Sequence, residues 1–319
     1  MGGLLDGHDQ ILVFGHKDAD GDTLGCSLAF AEAVRALGKQ AWVIIPPPVP
    51  QMYDWLPGYN QIVDRPPPGA DPQLVFFFDA GNMERSGTSV RHIASHATIV
   101  NVDHHLTNAM FGDLNVIDPD AAAVGEMVVD MLDAYGYPIT PTIATNLYTA
   151  IMTDTGGFRH ENTTAHALEY AARLARLGAN PGEIAGNIYK SRPLTTLRLD
   201  ALSLAEMKVE CSGRLIWSAV TRAMLKDADA VMAESEGIID NLNSIEGLEL
   251  AILFKEVGER MTKISVRSRG RVDAAALAAE FGGGGHLRAA GAEISEPMPS
   301  AVKMVLKAAK AALEGDTRD

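Results

Sequence analysis

Four short groups of acidic and imidazole side chains are spread through the first half of this 319-residue chain, each where an apolar run stops or a helical one begins. The first is His16-Lys17-Asp18-Ala19-Asp20-Gly21-Asp22, and the second is Asp79, directly after Leu74-Val75-Phe76-Phe77-Phe78. The third is Asp103-His104-His105, which follows Ile99-Val100-Asn101-Val102, and the fourth is Asp154 in Met152-Thr153-Asp154-Thr155-Gly156-Gly157. Carboxylates offer hard oxygen donors and imidazoles offer nitrogen. Mixed at strand ends, they form the ligand set that a pair of divalent cations needs, and such pairs drive hydrolysis. The chain is therefore expected to be a metal-dependent hydrolase.

Each group also has an ordinary structural reading. An Asp-Gly-Asp run often makes a turn or a helix cap, and a strand-end aspartate such as Asp79 often caps the turn that follows. Paired histidines are a poor fit to a surface accident when a buried strand precedes them. A carboxylate beside a ligating imidazole also fixes the tautomer of that imidazole. Asp154 closes an apolar helix, where a negative charge opposes the macrodipole. It is the conjunction of all four at element termini that points to a site.

A second kind of chemistry is written in the C-terminal half. Phe281 is followed by Gly282-Gly283-Gly284-Gly285-His286, and four glycines add no packing volume. They permit close backbone approach, and exposed N–H groups in such a run can cradle an anion. Arg267, Arg269 and Arg288 are near in sequence, and guanidinium forks suit a terminal phosphate. The segment is expected to be a substrate clamp built on Gly283, Gly284, Gly285, His286 and these arginines, with a flexible glycine linker as the alternative. Arg159 is a further phosphate candidate, with a structural ion pair as its alternative.

These groups need rigid elements behind them. Buried, unalternating apolar runs at 11–14, 41–45, 74–78 and 97–102 read as strands, with helical or loop segments between them. That pattern predicts an α/β fold with a mostly parallel sheet covered by helices on both faces. Helices are predicted at 24–37, 121–135, 141–152, 164–177 and 181–189, and a connecting helix at 193–207. A strand at 214–220, a hairpin of 248–256 with 261–267, and helices at 272–281 and 299–313 predict a smaller α/β C-terminal domain. The expected division is a catalytic domain over 1–190, a linker over 191–207 and a substrate-binding domain over 208–319.

Composition narrows the classes. Apolar residues make up 47% and charged residues 21%, which supports real cores and argues against extensive disorder. No apolar stretch approaches the ~20 residues of a membrane span, and the N-terminus lacks signal-peptide character. The only cysteines, Cys26 and Cys211, form no redox or metal motif, so a cytoplasmic protein without membrane association is expected. The net charge is −14, which disfavours long duplex nucleic acid as a partner. The charge is uneven: residues 249–319 hold 11 basic and 10 acidic side chains, so the acidic excess lies in the remainder. An acidic metal-holding half with a locally basic half fits a small anionic substrate.

In these motifs the chain resembles the DHH phosphoesterases, named for the triplet present here as Asp103-His104-His105. The likeness runs through His16 to Asp22, Asp79, and Asp154-Thr155-Gly156-Gly157-Phe158-Arg159. It continues through Arg267-Ser268-Arg269 and the run from Phe281 to Gly291, which look like the DHH-associated domain. Length is most similar to the branch that acts as oligoribonuclease and adenosine 3′,5′-bisphosphate phosphatase. The resemblance implies one metal held by His16, Asp20 and Asp79, and a second by Asp22, Asp79, His104 and Asp154, with Asp79 bridging. It implies two manganese ions, with magnesium or cobalt as substitutes, that activate a shared water. Asp103 is then expected to orient His104, and His105 to stand by the phosphate. The implied substrates are short oligonucleotides or a nucleoside bisphosphate, and a homodimer is compatible with the resemblance. A cyclic di-AMP type phosphodiesterase and a catalytically silent nucleotide sensor are the alternatives. The chain departs from the usual pattern at Asp18 (often Asn), Cys26 (commonly Ser) and Val124 (frequently a small hydroxyl residue), none of which is an implied ligand.

Overall fold

The computed structural model describes residues 2–93, 95–190 and 192–314. The chain forms two compact units, Met1–Ser191 and Arg192–Asp319.

Unit 1 is built on six parallel strands: β1 (Gln10–Phe14), β2 (Gln40–Ile44), β3 (Ile62–Val63), β4 (Leu74–Phe78), β5 (Thr98–Asp103) and β6 (Leu114–Ile117). Their order across the sheet is β3-β2-β1-β4-β5-β6. The apolar runs of β1 and β4 at the centre of the sheet are buried on both faces, as a covered parallel sheet requires. On one face Ile11, Val13, Phe76 and Phe78 enter the main core, where Phe30 packs on Phe76 and Phe78 at ring distances of 4.4 and 5.1 Å. On the other, Leu12, Phe14, Val75 and Phe77 form a second cluster, with Phe14 stacked on Phe77 at 5.0 Å. Full burial of each such ring contributes about 1.5–3 kcal/mol.

The helices of unit 1 are α1 (Gly2–Asp6), α2 (Gly21–Ala36), α3 (Val124–Tyr135), α4 (Pro141–Asp154), α5 (Ala165–Arg176) and α6 (Pro181–Tyr189). Residues of α2 to α6 pack in the main core. The second face is covered by 3₁₀ turns in Met83–His92 and by Phe111, so its helical cover is 3₁₀ rather than α. Thr140 caps α4 through its hydroxyl and Pro141 occupies the first turn, the arrangement expected where an N–H would have no partner. From β1 the chain first builds β2 and β3 on one side, then returns to build β4 to β6 on the other. In doubly wound sheets the strand ends flanking such a reversal form the ligand-binding crevice. Here they are the C-terminal ends of β1 and β4, which carry His16 and Asp79.

Unit 2 contains α7 (Leu194–Ala205), β7 (Lys208–Glu210), β8 (Leu215–Val220), α8 (Arg222–Ala228), α9 (Ile238–Asn243), β9 (Leu250–Gly258), β10 (Met261–Ser268), α10 (Ala274–Ala279), β11 (Gly284–His286), β12 (Ala289–Ile294) and α11 (Met298–Glu314). The sheet order is β11-β12-β10-β9-β8-β7, antiparallel except for the β8–β9 pair. Residues of α10 and α11 pack on one face, and residues of α7, α8 and α9 on the other. The segment expected to link the halves is thus a helix whose Leu199 lies in the unit 2 core. Among the described residues no helix is long and apolar enough to cross a membrane.

Candidate metal centre

Asp79 follows β4 immediately and adopts φ 57°, a left-handed conformation that costs a non-glycine residue of order 1–3 kcal/mol. The turn is held because its N–H donates to Val102 C=O at 3.0 Å. From there the carboxylate reaches two sets of groups. Oδ2 lies 3.2 Å from His16 Nε2 and accepts the Thr23 hydroxyl at 2.6 Å. Oδ1 lies 3.8 Å from His104 Nε2 and 3.6 Å from His105 Nδ1.

The other members arrive from helix termini. Asp20 caps α2, its Oδ1 accepting the N–H groups of Asp22 and Thr23 at 3.1 and 3.0 Å. His16, Asp20 and Asp79 each offer a donor atom within 4.8 Å of the others. Asp22 is fully buried in the first turn of α2. Its carboxylate is gripped by the N-terminus of α3, Oδ2 accepting from Val124 N–H at 2.7 Å and Oδ1 from Gly125 N–H at 2.9 Å. The Cys26 thiol donates to Oδ1 at 3.2 Å. Asp154 ends α4 with Oδ2 3.4 Å from His104 Nε2, and Asp22, His104 and Asp154 form a second donor group within 4.8 Å. His16 and His104 direct Nδ1 to the carbonyls of Lys17 and Ala121 at 2.5 and 3.0 Å. That leaves Nε2 of each as the ring atom toward the carboxylates.

The expected pairing of Asp103 with His104 is corrected. Asp103 Oδ1 accepts from His105 Nδ1 at 2.7 Å, while His104 is oriented by Ala121. The two histidines lie just beyond the end of β5, where both rings turn toward Asp79 and the second presents its Nδ1 to Asp103. Asn108 completes the arrangement by donating to Asp103 Oδ2 at 2.6 Å.

Packing carboxylates into a buried pocket perturbs several of them. Burial, then the charge of Asp79, push the Asp22 carboxyl up to about 7. Burial raises Asp154 well above its usual range, with His104 opposing. Burial alone would raise Asp79 too, but the hydrogen bond and charge of His16, with His105 and His104, hold it well below the ordinary carboxylate range. Burial favours neutral His104, yet Asp154, Asp79 and Asp22 lift its pKa to about 10. The pocket therefore favours positive charge, which raises the pKa of both His16 and His104. Its oxygen-rich, nitrogen-containing donor set fits hard to borderline divalent cations. The one nearby sulfur is not a thiolate, because burial and then Asp22 push the Cys26 thiol well up.

If α3 fixes the Asp22 carboxylate, Val124→Pro should weaken divalent-metal binding by about 10–100-fold, the usual effect of losing a partner behind a ligand. Proline is tolerated at a first helical position, so the helix itself should persist. Isothermal calorimetry with manganese, alongside circular dichroism, checks both points.

The candidate clamp residues lie in unit 2, apart from Arg159. Arg267 on β10 and His286 on β11 both pair with Ala289 of β12, which sets them in one row across three strands. Arg267 Nε donates to Asp240 at 3.3 Å, and Arg269 donates to Ile245 C=O at 3.3 Å. Arg288 donates to Gly270 C=O and, at 3.4 Å, to Ser268 Oγ, bracing the turn after β10. The glycine run is not a linker. A Cβ on Gly283 would lie 2.1 Å from Gly291 O, and one on Gly285 2.5 Å from Ala289 O, so both serve the close pairing with β12. Gly284 faces open space at its Cβ position. Arg159, in unit 1, donates to Gly156 C=O at 2.6 Å and lies over the Tyr189 ring at 5.6 Å. Sequence reasoning missed Thr23 and Asn108, which hold Asp79 and Asp103 by hydrogen bonds that no local motif announces.

The chain is similar to known proteins over most of its length. The family described as "DHH family, N-terminal domain" matches residues 10–151, and the "DHHA1 domain" matches residues 215–315. A relative from Thermus thermophilus, "Bifunctional oligoribonuclease and PAP phosphatase NrnA", is 35% identical over 302 residues, covering 94% of this chain and 89% of that protein. The protein of the same name from Bacillus subtilis is 25% identical over 291 residues, covering 90% of each. A crystal structure of an exopolyphosphatase-related protein from Bacteroides fragilis matches with a TM-score of 0.89 at 29% identity, over 97% of this chain and 94% of that one. The chain belongs to the DHH family of phosphoesterases and is a hydrolytic enzyme acting on phosphoester bonds.

Proposed function

We propose that the chain is a manganese-dependent phosphohydrolase that cleaves short oligonucleotides to mononucleotides and removes phosphate from adenosine 3′,5′-bisphosphate. The observation that carries this reading is the placement of Asp79, whose two oxygens reach separate groups of histidine and aspartate. In this reading His16, Asp20 and Asp79 hold one ion, and Asp22, Asp79, His104 and Asp154 hold the other. Two such ions supply neutralisation of the phosphate oxygens and a lowered pKa for water.

The rest of the work falls to the chain itself. The α3 N-terminus and Cys26 keep Asp22 in one orientation, so no reorganisation is needed when substrate arrives. Asp103, supported by Asn108, holds a proton on His105 Nδ1, leaving Nε2 to face a phosphate. Arg267 and His286 supply the clamp for a second phosphate. Gly284 leaves room beside them, and Arg269 and Arg288 brace the loops around them. Arg159 is the remaining candidate for a phosphate contact. A clamp on one phosphate and chemistry at another suit a bisphosphate or the end of a short oligonucleotide. The names borne by the Thermus and Bacillus relatives support the same substrates.

The test is a substrate panel with purified protein and manganese: adenosine 3′,5′-bisphosphate, a dinucleotide and a cyclic dinucleotide. Release of phosphate from the first and mononucleotides from the second is expected. Turnover of the cyclic dinucleotide alone, or of none, would overturn the reading.

A further inference from the structure

Arg85 stands beside the candidate metal centre. Its guanidinium Nη1 lies 3.4 Å from His105 Nε2. His105 donates through Nδ1 to Asp103, so Nε2 is the accepting atom and Arg85 the donor. Asn108, Asp103, His105 and Arg85 thus form one hydrogen-bonded chain ending in a half-buried cation. Its backbone is fixed at both ends. Arg85 N–H donates to Asn82 Oδ1 at 3.0 Å, and its carbonyl accepts Lys17 N–H at 2.7 Å, which ties it to the loop that carries His16.

The head group is unusual in this setting. Asp20, Asp22, Asp79, Asp103 and Asp154 crowd the centre, yet among the described residues Arg85 makes no ion pair with any carboxylate. An arginine that merely stabilised the cluster would pair with one of them. Charge balance gives the cation a use. Five carboxylates outweigh two divalent cations by one charge, and the incoming phosphate is itself an anion. A guanidinium at the edge of the centre offsets that repulsion and offers a fork for two oxygens.

We propose that Arg85 binds a non-bridging oxygen of the scissile phosphate, exchanging its contact with the His105 ring for the substrate. The inference rests on the phosphohydrolase reading and deepens it by naming the cation that unit 1 contributes to substrate binding.

The test compares wild type, Arg85→Gln and Arg85→Lys, each loaded with manganese. Calorimetry measures binding of manganese and then of inorganic phosphate, and kinetics with a nucleoside bisphosphate follow. In Arg85→Gln, phosphate binding should weaken by about 10–100-fold, as expected on losing a charged hydrogen-bond donor. The value of kcat/KM should fall in parallel while manganese affinity stays the same, and Arg85→Lys should recover part of the loss. Unchanged phosphate binding in Arg85→Gln overturns the proposal. So does an equal loss of manganese binding, which would make Arg85 a support of the centre rather than a ligand of substrate. Phosphate binding is read without turnover, so the proposal and the substrate assignment can fail separately.

Discussion

Asp79→Asn is expected to abolish hydrolysis, lowering kcat/KM by at least ~10³-fold, because in the proposed reading a metal pair would contribute several kcal/mol to the transition state and would lose its shared carboxylate. Asparagine is the informative replacement. It matches aspartate in shape and tolerates the left-handed backbone that position 79 adopts at φ 57°, so the turn after β4 should survive. What is lost is the negative charge between His16 on one side and His104 on the other. Manganese stoichiometry should fall below that of wild type while the unfolding temperature shifts by only a few degrees. Near-normal turnover in this variant would remove Asp79 from the position between the two donor groups.

Gly25→Val should lower the stability of unit 1 by about 2–4 kcal/mol, at the upper end of overpacking costs. The corresponding fall in unfolding temperature is about 5–10 °C for a unit of this size. A Cβ at Gly25 would sit 2.3 Å from Asn146 O and 3.1 Å from Ala150 Cβ, both on α4. Gly21, one turn earlier, would likewise meet Thr153 at 2.4 Å. The two glycines let α2 and α4 approach closely, and the backbone oxygen at Asn146 cannot rotate aside. The consequence reaches the centre, because α2 carries Asp22 near its start and α4 ends in Asp154. Forcing the helices apart separates these two carboxylates, so manganese affinity should drop by about tenfold or more. Differential scanning calorimetry and manganese titration check both effects. An unfolding temperature within 2 °C of wild type, an order-of-magnitude threshold on the same scale, would contradict the close-packing explanation.

Much of the candidate centre was legible in the sequence because its donor groups sit where apolar runs end. The runs at β1 and β4 are buried on both faces, and such strands read as unbroken hydrophobic segments. Edge strands carry weaker signals. β6 is exposed to half-buried along its length, and β3 has only two residues. In unit 2, β11 and β12 were hidden because Gly-Gly-His and an alanine-rich run have little strand preference of their own. Pairing with β10 makes them strands. The glycine run illustrates this: close backbone approach was the right physical requirement, and for Gly283 and Gly285 the approaching backbone is that of β12. Thr23 reaches Asp79 across 56 positions, and Arg85 reaches His105 across 20. Contacts of that kind depend on the sheet order, which periodicity does not give. The partner of Asp103 differs from the expectation for a simpler reason, since adjacency in sequence does not say which of two neighbouring rings presents a nitrogen to it.

The placement of the ions themselves can be seen directly. Crystals grown with manganese and measured at its absorption edge should show two anomalous peaks ~3.5–4 Å apart, the spacing of paired hydrolytic sites. One peak should touch His16 and Asp20, the other Asp22, His104 and Asp154, and both should touch Asp79. A map with no peak there, or with a single ion that leaves Asp79 uncoordinated, would contradict the account.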